Sequence, residues 1–382
     1  MIQRKVLFVD HTAVMGGAEL SLLDLATVYS QTSRVLLFED GPLRYRLEKQ
    51  GIQVCVAKVS TTLLDFRASG SLRPVTIIPE LWNIAGIIAR EAMDCDLIIA
   101  NSQKAFVTSA LTALRGGPPI VWYLRDILTA KHFSRVNRTV AIFLANQFTS
   151  KVLVNSRATG EAFTVSGGKK ELLHVVYNGF ESSRFDVLTT QDIEEVRIQL
   201  GIGDVPLIGL FSRLSYWKGQ HILLEAVKKI PQAHVIVVGD ALFGEEKYVS
   251  KLKDLANAPQ LQGRIHWLGF RNDIPALMKA CDIIVHTSTE PEPFGRVIVE
   301  GQLAKKPVIA SAAGGALELI EDGVNGCLFP SGDVVALRQK IKELFENRFL
   351  ANKIAQQGYI NAKTNFALES ILSSFNKAIS SV

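Results

Sequence analysis

The sequence predicts an α/β fold in which two doubly wound domains, each built on a parallel sheet, follow one another along the chain. Three observations support this prediction. At 382 residues the chain is long for one core and suits two domains. Short apolar runs of strand length recur and alternate with segments of helical periodicity. The runs are continuously apolar, as in parallel strands that helices cover on both faces.

The first domain is predicted to span residues 1–182. Helical spacing is clearest over residues 18–30 and 105–115. The predicted strands are the runs KVLFV, RVLLF, IQVCV, DLIIA, PIVWYL, KVLV and LLHVVY.

The second domain is predicted to span residues 183–365. It follows the acidic stretch TTQDIEEVRIQLGIGDVP, which indicates a linker and a short helix. Its predicted strands are the runs LIGLF, HVIVVG, RIHWLG, CDIIVHT, KPVIAS and GCLF. Open α/β sheets bind ligands at the carboxyl ends of their strands, so we expect an active site in a cleft between the two domains.

Composition is that of a globular protein, with 48% apolar and 21% charged residues. The four cysteines are scattered and have no neighbouring histidines at metal-ligand spacing, which predicts reduced core residues. No signal peptide and no apolar run of roughly 20 residues is present, so a cytoplasmic location is expected.

The net charge of +5 comes from the first part of the chain, because residues 1–180 carry 20 Lys+Arg against 14 Asp+Glu. Two interpretations remain for the basic side chains: a solvated surface, or a face for anionic lipid headgroups or a phosphate-bearing acceptor. Nucleic acid is not expected, because no nucleic-acid-binding motif appears. Within residues 125–157, Asp126 is the only acid among the basic residues Arg125, Lys131, Arg135, Arg138, Lys151 and Arg157.

Two short motifs point to phosphate. Gly16 and Gly17 follow the first predicted strand and precede a helix, where backbone N–H groups bind anions, although the glycines could simply form a turn. Arg213 and Lys218 follow the strand LIGLF. Two cations at the carboxyl end of a strand suit a departing diphosphate; the alternative is a pair of surface cations.

The stretch EPEPFGRVIVE holds two carboxylates, Glu292 and Glu300, with seven residues between them. The strand DIIVHT ends before it, and a helix is predicted to begin near Gly295. Ionised carboxylates only accept hydrogen bonds, so they suit hydroxyl groups and repel phosphate. Hydroxyls at both ends with phosphates between them indicate a nucleotide sugar.

Together these motifs resemble the retaining family 4 glycosyltransferases of the GT-B fold, in which two Rossmann-like domains face each other across a cleft. The resemblance covers nearly the whole chain. It rests on GGAE, NGFE, RLSYWKG, LGFRNDI, the E-x7-E element, AKKPVIASAAGG and EDGVNGCLFPSGD.

The resemblance implies a role for each matching residue. Arg213 and Lys218 would hold the donor diphosphate, Glu292 the hydroxyls of the transferred sugar, and Glu300 the ribose. The remaining matches are the backbone of Phe294, Gly295 and Arg296 as a cradle for phosphate and sugar, and Phe270 with Arg271 beside the base. It also implies that neither a metal nor another cofactor is needed, and that a final segment near residues 366–382 crosses back onto the first domain.

The sequence departs from the family pattern at YLRDIL, where many relatives carry a histidine before the aspartate and this chain has Arg125 before Asp126. Asp126 remains a candidate contact to the donor sugar or acceptor, and a helix-capping acid is the alternative. Arg125 would add positive charge to the cleft.

The function implied is transfer of a hexosyl group from a nucleotide sugar, UDP-glucose being the preferred donor, with retention of configuration. The acceptor would be a glycan or a lipid-linked glycan in bacterial envelope or capsular polysaccharide biosynthesis, at the inner face of the plasma membrane. Two alternatives stay open: a UDP-sugar 2-epimerase, and a non-catalytic glycosyltransferase-like scaffold in an assembly complex.

Overall fold

The structure is a computed structural model that describes residues 4–57, 59, 74–130, 133–241 and 244–382. The chain divides into two compact units. The first unit consists of Met1–Gly179 with Glu369–Val382, and the second consists of Phe180–Leu368. Among the described helices, none combines the length and the apolar character that crossing a membrane requires.

The first unit holds a seven-stranded parallel sheet in the order β3-β2-β1-β4-β5-β6-β7. The strands are β1 Val6–Asp10, β2 Ser33–Leu37, β3 Gln53–Val56, β4 Leu97–Ala100, β5 Ile120–Leu124, β6 Lys151–Val154 and β7 Leu173–Val175. Its described helices before the domain join are α1 Gly17–Val28, α2 Pro42–Lys49, α3 Pro74–Glu91, α4 Gln103–Ala110, α5 Arg135–Phe148 and α6 Arg157–Val165.

Both faces of this sheet are buried, as the continuously apolar runs predict. In β1, Leu7 and Val9 belong to one core cluster, whereas Val6 and Phe8 belong to another. Successive side chains of a strand point to opposite faces, so the two clusters lie on opposite sides of the sheet. The strands in the middle of the sheet, β1, β4 and β5, are therefore buried along their whole length and are almost entirely apolar.

The second unit holds a six-stranded parallel sheet in the order β10-β9-β8-β11-β12-β13. The strands are β8 Leu207–Phe211, β9 His234–Val238, β10 Ile265–Gly269, β11 Ile283–His286, β12 Val308–Ser311 and β13 Cys327–Phe329. The described helices are α7 Ser183–Asp186, α8 Thr190–Gln199, α9 Gln220–Val227, α10 Glu246–Ala256, α11 Ile274–Ala280, α12 Arg296–Leu303, α13 Ala316–Leu319, α14 Val334–Glu346 and α15 Arg348–Asn365. The predicted α/β fold with two parallel sheets is confirmed.

The last helix, α16 Leu368–Ser380, packs into the first unit although it is distant from it in sequence. Its Phe375 is fully buried, with ring centroids 6.0 Å from Tyr29 and 6.3 Å from Tyr123. Ile371 and Ile379, on the same helix, are also buried in this cluster. The apolar face of α16 is thus part of the core of the first unit.

We expect the Phe375→Ala substitution to destabilise the first unit by about 3–5 kcal/mol, because a buried ring is replaced by a cavity. Thermal unfolding followed by circular dichroism measures this as a lowered melting temperature. Phe349→Ala is the matched control, since Phe349 in α15 is 81% exposed. Equal melting temperatures for the two variants would contradict a core role for α16.

Candidate active site

The candidate site of the second unit lies at the carboxyl edge of its sheet, where the strand order changes direction. After β8 the chain adds β9 and β10 on one side of it and then β11 on the other. Open α/β sheets form a crevice at such a point, outside the carboxyl ends of the two strands. The loops after β8 and β11 border this crevice, and they carry Arg213, Lys218 and Glu292.

The two loops are joined through their backbones. Gly219 has a φ of +69°, and a Cβ atom there would lie 2.0 Å from the carbonyl oxygen of Thr287. The Thr289 N–H donates to the Trp217 carbonyl at 2.7 Å, and the Thr287 hydroxyl donates to the Lys218 carbonyl at 2.9 Å. Only glycine permits this approach, which fixes Lys218 against the loop after β11.

Lys218 and Glu292 form a buried ion pair, with 2.6 Å between Nζ and Oε2. Their side chains are 15% and 12% exposed. The same oxygen accepts a hydrogen bond from the Ser288 hydroxyl at 3.0 Å and lies 3.2 Å from His286 Nε2. Three polar groups therefore hold one carboxylate oxygen.

Burial and charge act in opposite directions on this pair. Burial disfavours the ionised Glu292, but the charges and hydrogen bonds of Lys218 and His286 outweigh it and hold the pKa of the carboxyl well below its usual range. For Lys218, burial is the larger effect and lowers the pKa of its ammonium, although Glu292 raises it. The 2.6 Å contact and the further donors on Oε2 favour the charged pair at neutral pH.

Arg213 and Lys218 both face the indole ring of Trp217. The Arg213 guanidinium carbon lies 5.5 Å from the ring centroid, and the Lys218 ammonium lies 4.1 Å from it. A cation over an indole ring is attracted by the negative face of the ring. The ring thus brings the two predicted diphosphate ligands to one side of the crevice.

The E-x7-E segment continues into α12. Gly295 is the N-cap and has a φ of +100°, and Arg296 begins the helix. Glu300 lies one helical turn after Arg296, and its Oε1 is 3.5 Å from the Arg296 Nε. Phe294 is 2% exposed and stacks on Phe180 with 6.3 Å between centroids, so this position offers only backbone to a ligand.

Phe270 and Arg271 follow β10, which is the edge strand of the sheet. Phe270 is 55% exposed, and its backbone N–H donates a hydrogen bond to the Asp240 carboxylate at 2.9 Å. Arg271 donates to Asp273 at 2.8 Å. Because β9 separates β10 from β8, these two residues lie farther along the edge than Lys218 and Glu292.

In the first unit, the start of α1 holds the chain's own carboxyl group where the sequence suggested an anion. A Cβ atom on Gly16 would lie 2.6 Å from Glu19 Oε2. The missing Cβ thus leaves space for the Glu19 side chain to fold back over the helix start. Gly17, the first helical residue, is exposed.

The first unit also holds a buried network of polar side chains at the carboxyl ends of β1, β4 and β5. Asn101 donates to Asp10 at 2.6 Å, and its side-chain oxygen accepts from Arg125 at 3.0 Å. The Arg125 guanidinium also donates to Asn178 at 2.6 Å and stacks 3.5 Å over Tyr123. Arg125 is 6% exposed, so its expected place among the exposed basic residues is wrong.

Asp126, the candidate contact to the donor sugar or acceptor, is exposed and directly follows Arg125 of that network. The alternative of a helix-capping acid is not supported, because the next described helix begins at Arg135 and the Ser134 side chain caps it. Lys131, from the basic segment, lies outside the described residues. Arg135 and Arg157 are exposed.

The pKa of Glu19 is raised to about 8, chiefly by burial and in addition by the charges of Asp10 and Asp126, whereas the charge of Arg125 opposes this rise. An acid in the first turn of a helix ordinarily ionises easily, because the helix dipole favours negative charge. Glu19 differs because it lies beside a fully buried aspartate. The raised pKa favours the protonated carboxyl at neutral pH.

The Glu19→Gln variant tests whether the Glu19 carboxyl is protonated in the folded protein. Between the ordinary pKa of 4.5 and about 8, the folded protein holds a proton that the unfolded chain has lost. Wild-type stability therefore falls with rising pH in this window, by up to about 1.4 kcal/mol per pH unit, and the variant escapes that loss. We expect the melting temperature of the variant to gain several degrees on the wild type between pH 5 and pH 8.

Glu48→Gln is the control, because Glu48 is exposed on α2 of the same unit. Its melting-temperature difference from the wild type should stay constant over the window. A constant deficit for Glu19→Gln would mean that Glu19 is ionised.

Several of these residues were not predicted from the sequence: His286, Ser288, Asp10 and Asn101. A signal existed, because each lies at or directly after the end of an apolar run, in VHTS, FVD and IIAN. Metal ligands were not expected, and within the described ranges no group of three or more His, Cys, Asp or Glu side chains is arranged to hold an ion.

Comparison with known proteins matches both halves of the chain. Residues 15–184 match the family model described as glycosyltransferase family 4, and residues 192–361 match the one described as glycosyl transferases group 1. Among curated relatives, the lipopolysaccharide core biosynthesis glycosyltransferase LpsE of Rhizobium meliloti is 28% identical over 178 residues, 47% of this chain and 51% of LpsE. The chain spans about half the length of the curated relatives it matches.

Among solved structures, Anabaena HepE in complex with UDP-glucose is 42% identical, with a TM-score of 0.91 over 99% of this chain and 100% of HepE. HepE has also been crystallised with UDP and glucose. A glycosyltransferase from Rickettsia africae covers 100% of both chains at 24% identity with a TM-score of 0.83, which supports the fold alone.

Proposed function

The chain belongs to family 4 of the glycosyltransferases, and on that premise we propose that it transfers a hexosyl group from UDP-glucose to a glycan or lipid-linked glycan acceptor in polysaccharide biosynthesis. Family membership confirms the resemblance and the GT-B architecture. The observation that carries the proposal is the Lys218–Glu292 pair at the crevice of the second unit, with Arg213 beside it. UDP-glucose is favoured as donor because HepE binds it.

Each predicted donor contact suits one part of a nucleotide sugar. The cations Arg213 and Lys218 match the diphosphate, and Glu292 matches hydroxyls of the glucosyl group. Glu300 and the backbone at Gly295 would hold the ribose and the adjoining phosphate. The ammonium and guanidinium groups provide the positive charge that a metal ion would otherwise supply, so we propose metal-independent transfer.

The proposed reaction keeps the configuration of the anomeric carbon. The bond from this carbon to the diphosphate oxygen breaks, and the acceptor oxygen forms a bond to the carbon from the same face. The acceptor proton passes to the departing diphosphate. Arg213 and Lys218 stabilise the charge that develops on that group, which is the largest contribution we expect from the protein.

Calorimetric titration with UDP, GDP and ADP, and then with UDP-glucose, tests the donor assignment in the presence of a chelator. We expect selective binding of UDP and UDP-glucose. Lys218→Ala should weaken both and lower turnover by about 100-fold, as loss of a preorganised charge does. Lys228→Ala is the control, because Lys228 also pairs with a glutamate but lies after α9 and outside the crevice loops.

The outcomes separate the rival functions. Binding of UDP-glucose followed by a changed sugar nucleotide without acceptor would indicate an epimerase. If no nucleotide binds, the chain is a scaffold.

We also propose that the first unit contacts anionic membrane through α5. Val136, Val140 and Phe143 form a stripe on this helix and are 70%, 43% and 57% exposed. The spacing of four and three residues places them on one helix face. Without the buried Arg125, residues 101–180 carry nine Lys+Arg against three Asp+Glu, so anionic lipid is the complementary partner.

Sedimentation with vesicles of phosphatidylglycerol or phosphatidylcholine tests this contact. We expect binding to the anionic vesicles that weakens with salt and is lost when Val136, Val140 and Phe143 are all replaced by Ser. Replacing the exposed Leu317 and Phe349 by Ser is the control. Equal binding to both vesicle types would contradict the proposal, and self-association removed by the triple change would assign the stripe to a second copy.

A further inference from the structure

In the structure, Glu292 is paired with Lys218, the residue that is also proposed to bind the donor diphosphate. Lys218 contributes the shortest of the three contacts to Glu292 Oε2, at 2.6 Å. If the proposed function is correct, the same ammonium also binds the donor diphosphate. A diphosphate carries more negative charge than a carboxylate, so it attracts Lys218 more strongly.

A carboxylate that loses its charged partner inside a protein becomes unfavourable, because its burial is no longer compensated. Glu292 is 12% exposed, so water cannot replace Lys218 fully. Two further groups remain on the same oxygen: the Ser288 hydroxyl at 3.0 Å and His286 Nε2 at 3.2 Å. The position of Glu292 in the donor-bound state then depends on them.

The position of the histidine proton follows from these contacts. His286 Nε2 touches two oxygen atoms, Glu292 Oε2 and Ser288 Oγ. The carboxylate can only accept, and the single hydroxyl proton of Ser288 is directed to Glu292. A bare Nε2 would face the negative oxygen with a lone pair, so we assign the hydrogen to Nε2, and His286 is a donor to Glu292.

The other nitrogen of the His286 ring, Nδ1, shows that the histidine at this position does not serve stability. His286 is 7% exposed at the end of β11, and its Nδ1 has no hydrogen-bond partner within the described residues. A buried polar atom without a partner costs free energy that an apolar side chain would avoid. The benefit of a histidine at this position therefore lies in what Nε2 does.

We propose that His286 is a positioning residue for the transfer reaction: it keeps Glu292 directed at the donor sugar once the diphosphate has drawn Lys218 away. Ser288 assists through the same oxygen. In this role His286 acts through Glu292 and not through a contact of its own with the donor. Its effect is therefore larger for ligands that carry the sugar than for UDP, whose diphosphate also draws Lys218 away.

Two substitutions at position 286 separate the hydrogen bond from the shape of the ring. His286→Phe keeps a ring and removes the donor, whereas His286→Gln places an amide N–H near the position of Nε2. We expect His286→Phe to weaken UDP-glucose binding by about 10-fold or more, the effect of losing a hydrogen bond to a charged group, and to weaken UDP binding clearly less. His286→Gln should restore most of the loss.

The experiment is calorimetry with UDP and UDP-glucose on the full chain, with melting temperatures to confirm folding. Glu292→Gln should weaken UDP-glucose alone, and adding His286→Phe to it should cause little further loss because both act through one contact. Ser288→Ala, which removes a smaller group, provides a second route should the phenylalanine variant fail to fold. It should also weaken UDP-glucose selectively.

Equal weakening of UDP and UDP-glucose by His286→Phe, or full additivity with Glu292→Gln, would overturn the inference and leave the donor site intact. Absence of UDP-glucose binding by the wild type would instead overturn the proposed function on which this inference rests. Loss of UDP-glucose affinity in both position-286 variants would show that the amide cannot replace the ring and would count against a role limited to one hydrogen bond.

Discussion

The buried ion pair of Lys218 and Glu292 is the constraint on which the second unit's crevice depends. Two loops from neighbouring strands, β8 and β11, carry the partners, and their backbones are bonded to each other at Trp217 and Thr289. Each charge is less favourable there without the other, because burial removes the water that would otherwise stabilise it. The close approach at Gly219, the histidine behind the carboxylate and the indole ring beside the ammonium all serve to hold this one pair.

The two units solve the same problem in different ways. Each brings charged groups to the carboxyl edge of a parallel sheet, where little water reaches them. The second unit compensates a negative charge with a positive one. The first unit instead uses a raised carboxyl pKa and neutral partners: burial and Asp10 raise the pKa of Glu19, and the Arg125 guanidinium donates to the amide oxygens of Asn101 and Asn178.

The sequence was sufficient to predict the strands and the edge at which polar side chains gather, because apolar runs and strand ends are local patterns. The run CDIIVHT and the turn at Gly295 lie where the structure has β11 and the start of α12. Which polar side chains contact each other, and which of them are buried, could not be predicted from the sequence. The basic Arg125 contacts Asn101 and Asn178, which come from two distant segments of the chain. His286 contacts Glu292 only because the chain folds back after β11. Such contacts depend on tertiary packing, which no local pattern records.

The placement of α16 in the first unit has a consequence for biosynthesis. The second unit is continuous in sequence, whereas the first is completed by the helix that buries Phe375. A ribosome adding about 5–20 residues per second needs roughly 10–40 s to pass through the second unit before that helix exists. During this interval the nascent first unit exposes the apolar surface that α16 later covers. Chaperones would therefore meet the first unit in this incomplete form, and the second unit is the one that can finish folding first.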